Sequence, residues 1–283
     1  MARSSKNAPL SLEALLAPCA VTSPATWPQG LVFRCLSSQI GQDFSPESTA
    51  IPLDTAALYG SRWIYQAMVA EEDWMGQQRL QLRFLAPSGV CYRFNTGPPF
   101  SAVSDTSYIP ALATLYPEPV VQAVDQRLRA QRFYLLCNDE RVTYMADTVT
   151  HPLKYVEITV DSVTIGKEVA PLRVCFSSHN GTGYFYTSLP HSRQETTSTP
   201  ITRFLSTTDP FLVHPNITPE VWRLIQSSQI RLDMTTEEVR LALGRPSRTE
   251  RFPSRNGMIE YWFYQNNQVC QFENGRLAKI GLL

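Results

Sequence analysis

Apolar residues recur at every second position in two separated stretches of the chain. In LQLRFLAPSGVCYRF (residues 80–94) Leu80, Leu82 and Phe84 alternate with polar neighbours, and in LRVCFSSHNGTGYFY (residues 172–186) Leu172, Val174 and Phe176 do the same. A period of two places alternate side chains on one face of a strand, and a glycine-containing turn between two such runs makes a hairpin. Aligned without gaps, both stretches read L-x-[LV]-x-F-x4-G-x2-Y-x-[FY], which matches Gly89 to Gly181, Tyr92 to Tyr184 and Phe94 to Tyr186. Upstream, LYGSRWIY (58–65) resembles LRAQRFYL (128–135), at an offset of 70 against 92 for the hairpins, so the second copy carries 22 extra residues. A helix is expected ahead of each copy. EPVVQAVDQRLRA (118–130) sets Val120, Val124 and Leu128 on one stripe with Val121 beside it. Asp54 is placed to cap a shorter helix, TAALY, that ends at Gly60.

Beyond residue 218 the helical period gives way to the strand period. Thr218 followed by Pro219 is a helix start, and VWRLIQ (221–226) supplies an apolar face. Thr235 and Glu238 have capping-box spacing, Val239, Ala242 and Leu243 share a helical face, and Gly244 then Pro246 end that helix. MIEYWFYQ (258–265), QVCQFE (268–273) and RLAKIGL (276–282) alternate as strands, joined at Asn266-Asn267 and Asn274-Gly275. Two helices and a three-stranded antiparallel meander follow.

The segments between these patterns set the boundaries. Residues 1–53 are rich in proline and read as flexible or irregular, with one strand in GLVFRCL (30–36). Ser/Thr/Pro/Gly-dense stretches at 95–110 and 190–202 are loops. The expected organisation is a first α+β module over 54–110, a second over 111–202 repeating the first, and a C-terminal module over 203–283. The fold class is α+β: tandem small modules, each a helix plus an antiparallel sheet.

The C-terminal residues resemble the SmpA/OmlA family, which includes the BamE-like lipoproteins. Its pattern, G-M-T-x2-E-V-x3-L-G-x-P, then W-x-Y, then F-x-N/D-G-R/K, is met by Met234-Thr235, Glu238-Val239, Leu243-Gly244, Pro246, Trp262 with Tyr264, Phe272, and Asn274-Gly275-Arg276. Asp233 stands where the family has glycine, and Asp tolerates a left-handed backbone better than most residues. The preceding segment is similar to a group of uncharacterised multi-module bacterial proteins ending in this domain. The resemblance implies a non-enzymatic protein that works through protein contacts at the cell envelope. A related two-helix, antiparallel-sheet architecture also serves, in tandem, in proteinaceous β-lactamase inhibitors.

Composition narrows the alternatives. Twenty-five Lys and Arg balance twenty-five Asp and Glu, so a nucleic-acid partner is not expected. No run approaches the roughly 20 apolar residues that span a bilayer. The six cysteines are scattered singly, without CxxC or His at zinc-ligand spacing, and read as small buried hydrophobes. Arg3 and Lys6 before PLSLEALLAPC imitate a lipidation signal, but Glu13 and Pro18 interrupt it, so no export signal is assigned. The compartment is then the cell envelope by resemblance and the cytoplasm otherwise.

No GxSxG, P-loop, HExxH or dinucleotide GxGxxG is present. HNGTGY (179–184) lies between strands and is a turn rather than a phosphate cradle. Catalytic, cofactor and metal residues are therefore assigned to none. One patch has interface composition: Arg240, Arg245, Arg248, Arg251 and Arg255 around the second helix exit, with Trp262 and Tyr264 close behind. The function expected is a protein-interaction scaffold. The alternatives are an inhibitor-like binder of a single enzyme and an enzyme with an unrecognised site.

Overall fold

The structure is a computed structural model. It describes residues 10–38, 40, 44–47, 58–73, 75–103, 108–145, 153–179, 181–190, 198–255 and 257–282. They form an α+β fold with few helices and three antiparallel sheets.

The first sheet starts inside the segment read as irregular. After helix α1 (Leu12–Leu16) come β1 (Val32–Cys35), β2 (Phe44–Pro46), β3 (Arg62–Glu72), β4 (Gln78–Leu85) and β5 (Cys91–Pro99), then helix α2 (Phe100–Val103) and β6 (Leu115–Pro117). The strand order is β2-β5-β4-β3-β1-β6. The alternation in β4 works as the sequence predicts: Leu80, Leu82 and Phe84 are buried with Phe33, Trp63 and Tyr92. Trp27 closes one end of that core, its ring 4.9 Å from Phe33. The short helix expected at TAALY falls mostly outside the described residues, and Leu58 to Gly60 form a turn.

Helix α3 (Glu118–Leu128) leads into the second sheet, built from β7 (Arg132–Leu135), β8 (Val142–Tyr144), β9 (Val156–Ile165), β10 (Leu172–Ser178), β11 (Gly181–Thr187) and β12 (Leu205–Ser206). The helix buries Val121, Val124 and Leu128 against Val160, Val174 and Phe176. Leu12 and Leu16 of α1 join that same cluster. The 1–53 segment thus supplies a helix to one core and strands to another.

Read from the β8 edge, the second sheet runs β8-β11-β10-β9-β7-β12, which is the order of the first with every number raised by six. The bulges agree as well. In the first sheet Phe84 faces Tyr65 while Arg83 faces Ala67, skipping Gln66; in the second Phe176 faces Val160 while Cys175 faces Ser162, skipping Asp161. A bulge leaves one residue unpaired and bends the strand, so its position is a strong register mark.

Two matches made by sequence are corrected by this register. Residues 58–65 lead into β3, whereas 128–135 end in β7, which occupies the place of β1. Alternating aromatics announce a strand but not which strand of a sheet. The second correction is one residue wide. Phe84 pairs with Tyr92, but Phe176 pairs with Gly183, because the β4–β5 turn is one residue longer than the β10–β11 turn. Tyr92 therefore corresponds to Gly183 and Phe94 to Phe185, both core-facing, while Tyr184 and Tyr186 point to the opposite face.

The C-terminal region holds α4 (Pro210–Val213), α5 (Pro219–Gln226) and α6 (Thr236–Leu243), followed by β13 (Arg248–Ser254), β14 (Gly257–Phe263), β15 (Gln268–Glu273) and β16 (Arg276–Leu282). The expected capping box forms: Thr235 Oγ1 accepts from Glu238 N at 3.2 Å and Glu238 Oε2 accepts from Thr235 N at 2.7 Å. Asp233 takes φ 72 and its amide donates to Leu277 O, tying the start of α6 to β16. The meander has four strands rather than three. The extra strand β13 pairs along its whole length with β14, from Arg248 opposite Phe263 to Ser254 opposite Gly257. Its polar sequence and Pro253 hide it, and both are features of an edge strand.

Candidate functional site

The C-terminal sheet has two faces of opposite character. On the helix side, Trp262, Cys270, Phe272 and Leu277 pack under Ile225 of α5 and Val239 of α6. Trp262 is 1% exposed, with its ring centroid 4.7 Å from Phe272. Its indole donates to Glu260 Oε1 at 2.5 Å, and Arg251 pairs with the same carboxylate at 3.2 Å. Trp262 is therefore a core residue and not part of a contact surface. Tyr264 is half-buried, its hydroxyl donating to Gly244 O at 3.4 Å and its pKa pushed up by burial.

The five arginines do not converge. Arg240, on α6, lies 5.1 Å from the Trp262 centroid on the helix side. Arg248 lies on the other face, 4.2 Å from the Phe263 centroid, and pairs with Glu250 at 3.1 Å. Arg245 lines a groove of about 370 Å³ with Leu243, Ser247, Tyr264 and Gln268. Arg255 stands past the far end of β13, roughly 25 Å from Arg245 at the usual rise of an extended strand. What was read as one cluster is spread over both faces and both ends of the sheet.

The face away from the helices was missed. Cross-strand neighbours there are Phe252 with Ile259, Glu250 with Tyr261, and Arg248 with Phe263, and Phe263 in turn is paired with Val269. Phe252 is 49% exposed, and its ring meets Tyr261 edge-on at 6.1 Å. None of the described helices lies over this row; the buried side chains of α5 and α6 belong to the opposite face. The signal was available in the sequence, since Ile259, Tyr261 and Phe263 alternate with Trp262, but β13 was needed to complete the surface.

A second feature joins the second sheet to the C-terminal region. Lys154 is 8% exposed, and its amine donates to the carbonyl of Ala242 in the last turn of α6. Positive charge is favourable at that end of a helix. The neighbouring backbone is sewn to α5: Lys154 N donates to Gln226 O at 3.1 Å, and Gln226 Nε2 donates to Tyr155 O at 3.4 Å. The Tyr155 ring meets Trp222 edge-on at 5.8 Å. Burial lowers the Lys154 pKa to about 8, although Asp139 works against the shift. Lys154 carried no sequence signal, because nothing local shows that a lysine will be enclosed.

His214 pairs with Glu237 at 2.9 Å. His151, His191 and Asn180 lie outside the described residues. Among the described residues no group of three His, Cys, Asp or Glu side chains is arranged around a common point, and no helix is long and apolar enough to cross a membrane. Comparison with family models, curated proteins and solved structures gives no match for this chain.

Proposed function

We propose that this chain is a non-enzymatic protein-interaction scaffold made of tandem α+β modules. On this reading the first two modules are copies of one unit, the first reaching back to β1 and the second opening with α3. The last is a domain of SmpA/OmlA type, which carries the reading to the cell envelope. The common strand order and the common bulge position favour duplication of the first two. The capping box at Thr235, the left-handed Asp233 and the Asn274-Gly275 turn, with φ of 50 and 80, favour the family assignment for the last.

The observation that carries the interaction reading is the helix-free face of the C-terminal sheet. Phe252, Ile259, Tyr261, Phe263 and Val269 form a continuous apolar and aromatic row beside Arg248. Aromatic residues and arginine are the types enriched in protein contacts, and a sheet face with this composition gains free energy when covered. Affinity capture with the full chain and with Phe252→Ser/Tyr261→Ser tests it. The wild type is expected to retain a defined protein partner that the double variant loses while keeping its circular dichroism spectrum. Capture of nothing by the wild type, or of the same set by both, contradicts the proposal.

A further inference from the structure

The two six-stranded sheets turn different chemistry outward from matching positions. In the first, Arg83 pairs with Glu47 at 2.8 Å and with Glu71 at 2.6 Å, and Arg93 pairs with Glu71 at 3.3 Å. Counting from Phe84 and Phe176, the second sheet has Cys175 in place of Arg83, Tyr184 in place of Arg93, Tyr186 in place of Asn95 and Arg173 in place of Gln81. The rings of Tyr184 and Tyr186 meet edge-on at 5.6 Å. The Arg173 guanidinium sits 4.1 Å from the Tyr184 centroid, and the Lys167 amine sits 4.5 Å from that of Tyr186. Tyr59, 51% exposed, reaches across to donate to Gly166 O at 2.9 Å and adds a third phenol beside Tyr186.

Both cations lack a carboxylate among the described residues, in contrast to Arg83 and Arg93. Arg173 Nε is closed off from solvent and meets no acceptor among the described residues. Asp161, an exposed carboxylate of β9, accepts from Ser177 Oγ at 2.9 Å.

From this geometry we propose that Lys167, Arg173, Tyr59, Tyr184 and Tyr186 form a docking surface for an extended acidic peptide segment of a partner protein. Charge complementarity names the occupant. A guanidinium stacked on a ring keeps its terminal nitrogens for a carboxylate, and the exposed lysine takes a second. Alternate side chains of an extended peptide fall roughly 7 Å apart. Tyr184 and Tyr186, which carry the two cations, are likewise alternate residues of one strand, with ring centroids 5.6 Å apart. The methylene groups of the peptide's acidic side chains rest against the tyrosine rings, while the residue between them points away from the sheet, and tyrosine loses little conformational freedom in such a role. Two cations are too few for a nucleic acid, whose binding grows with each neutralised phosphate, and supply only about 1 kcal/mol each toward an anionic bilayer. This surface is separate from the C-terminal face and does not rest on it.

The test is an NMR titration of the tyrosine-labelled full chain with a hexaglutamate peptide. The ring signals of Tyr59, Tyr184 and Tyr186 are expected to shift while those of Tyr261 and Tyr264 stay in place. Lys167→Glu, at an exposed turn, is expected to weaken the binding at least about fivefold, roughly the loss of one charged contact. Arg173→Lys keeps the charge but not the fork, and is expected to weaken it by a smaller factor. No shift of these rings, shifts confined to Tyr261 and Tyr264, or an unchanged affinity in Lys167→Glu overturns the proposal. Stronger shifts of the same rings with a short oligothymidylate or with phosphatidylglycerol vesicles overturn it too. Phe252→Ser/Tyr261→Ser is expected to leave the hexaglutamate shifts intact, so this proposal and the C-terminal one fail separately.

Discussion

The first and second sheets have the same strand order and bulge at matching residues, yet their outward faces have little in common. The first neutralises Arg83 and Arg93 with Glu47 and Glu71; the second rests Lys167 and Arg173 on tyrosine rings. Inward positions are held by packing, where a change of even one methylene is felt. Outward positions are free to change chemistry without disturbing the strand ladder. Around the bulge the first sheet matches its arginines with carboxylates, whereas in the second, where Arg132 is matched by Glu157, Lys167 and Arg173 have no ion pair among the described residues.

If the two frames are equivalent, matched core changes should cost about the same. Phe84→Ala and Phe176→Ala, both fully buried, are each expected to cost about 3–5 kcal/mol in urea denaturation. A cost confined to one of them would break the comparison. Gly183→Ala sharpens it where the sheets differ. A Cβ there would fall 2.8 Å from Phe176 Cζ and from Thr143 O, so the loss should be about 1–3 kcal/mol, although the matching place in the first sheet holds Tyr92.

The second sheet is also the one tied to the C-terminal helices, through Lys154. Its folded pKa, about 8, lies below its ordinary value of 10.5, so between those values the unfolded chain binds more protons. Stability should then rise with pH from 7 to 9, by about 1 kcal/mol, and Lys154→Met should remove that rise. A slope unchanged in Lys154→Met would mean that the amine is not enclosed. The smallest expected effect is in the first sheet. Arg83 holds the Glu71 carboxyl below the usual range, so its contribution is present at neutral pH and is lost as pH falls through the carboxylate range. Glu71→Gln should cost about 0.5–1 kcal/mol at pH 7 and nothing once that carboxyl is protonated, as read from thermal melts.

Local chemistry was what the chain displayed. The alternation of Leu80, Leu82 and Phe84, the stripe on α3, the capping box at Thr235 and the Asn274-Gly275 turn depend only on neighbours in sequence, and each was legible. What escaped depends on distant partners. β2 and β13 are short or polar and become strands only through pairing with β5 and β14. Tyr184 and Tyr186 were matched to core residues because a single residue of turn length reverses a strand's faces. The arginine patch failed for the same reason, since closeness in sequence around a strand is not closeness in space.

The interaction account is tested most directly by placing a photo-crosslinking amino acid at position 261 and, separately, at position 262. Adjacent positions on β14 face opposite ways, one onto the helix-free row and the other into the core. The account predicts crosslinks to another protein from position 261 and crosslinks only within the chain from position 262. Intermolecular products absent from both, or equal at both, would contradict it.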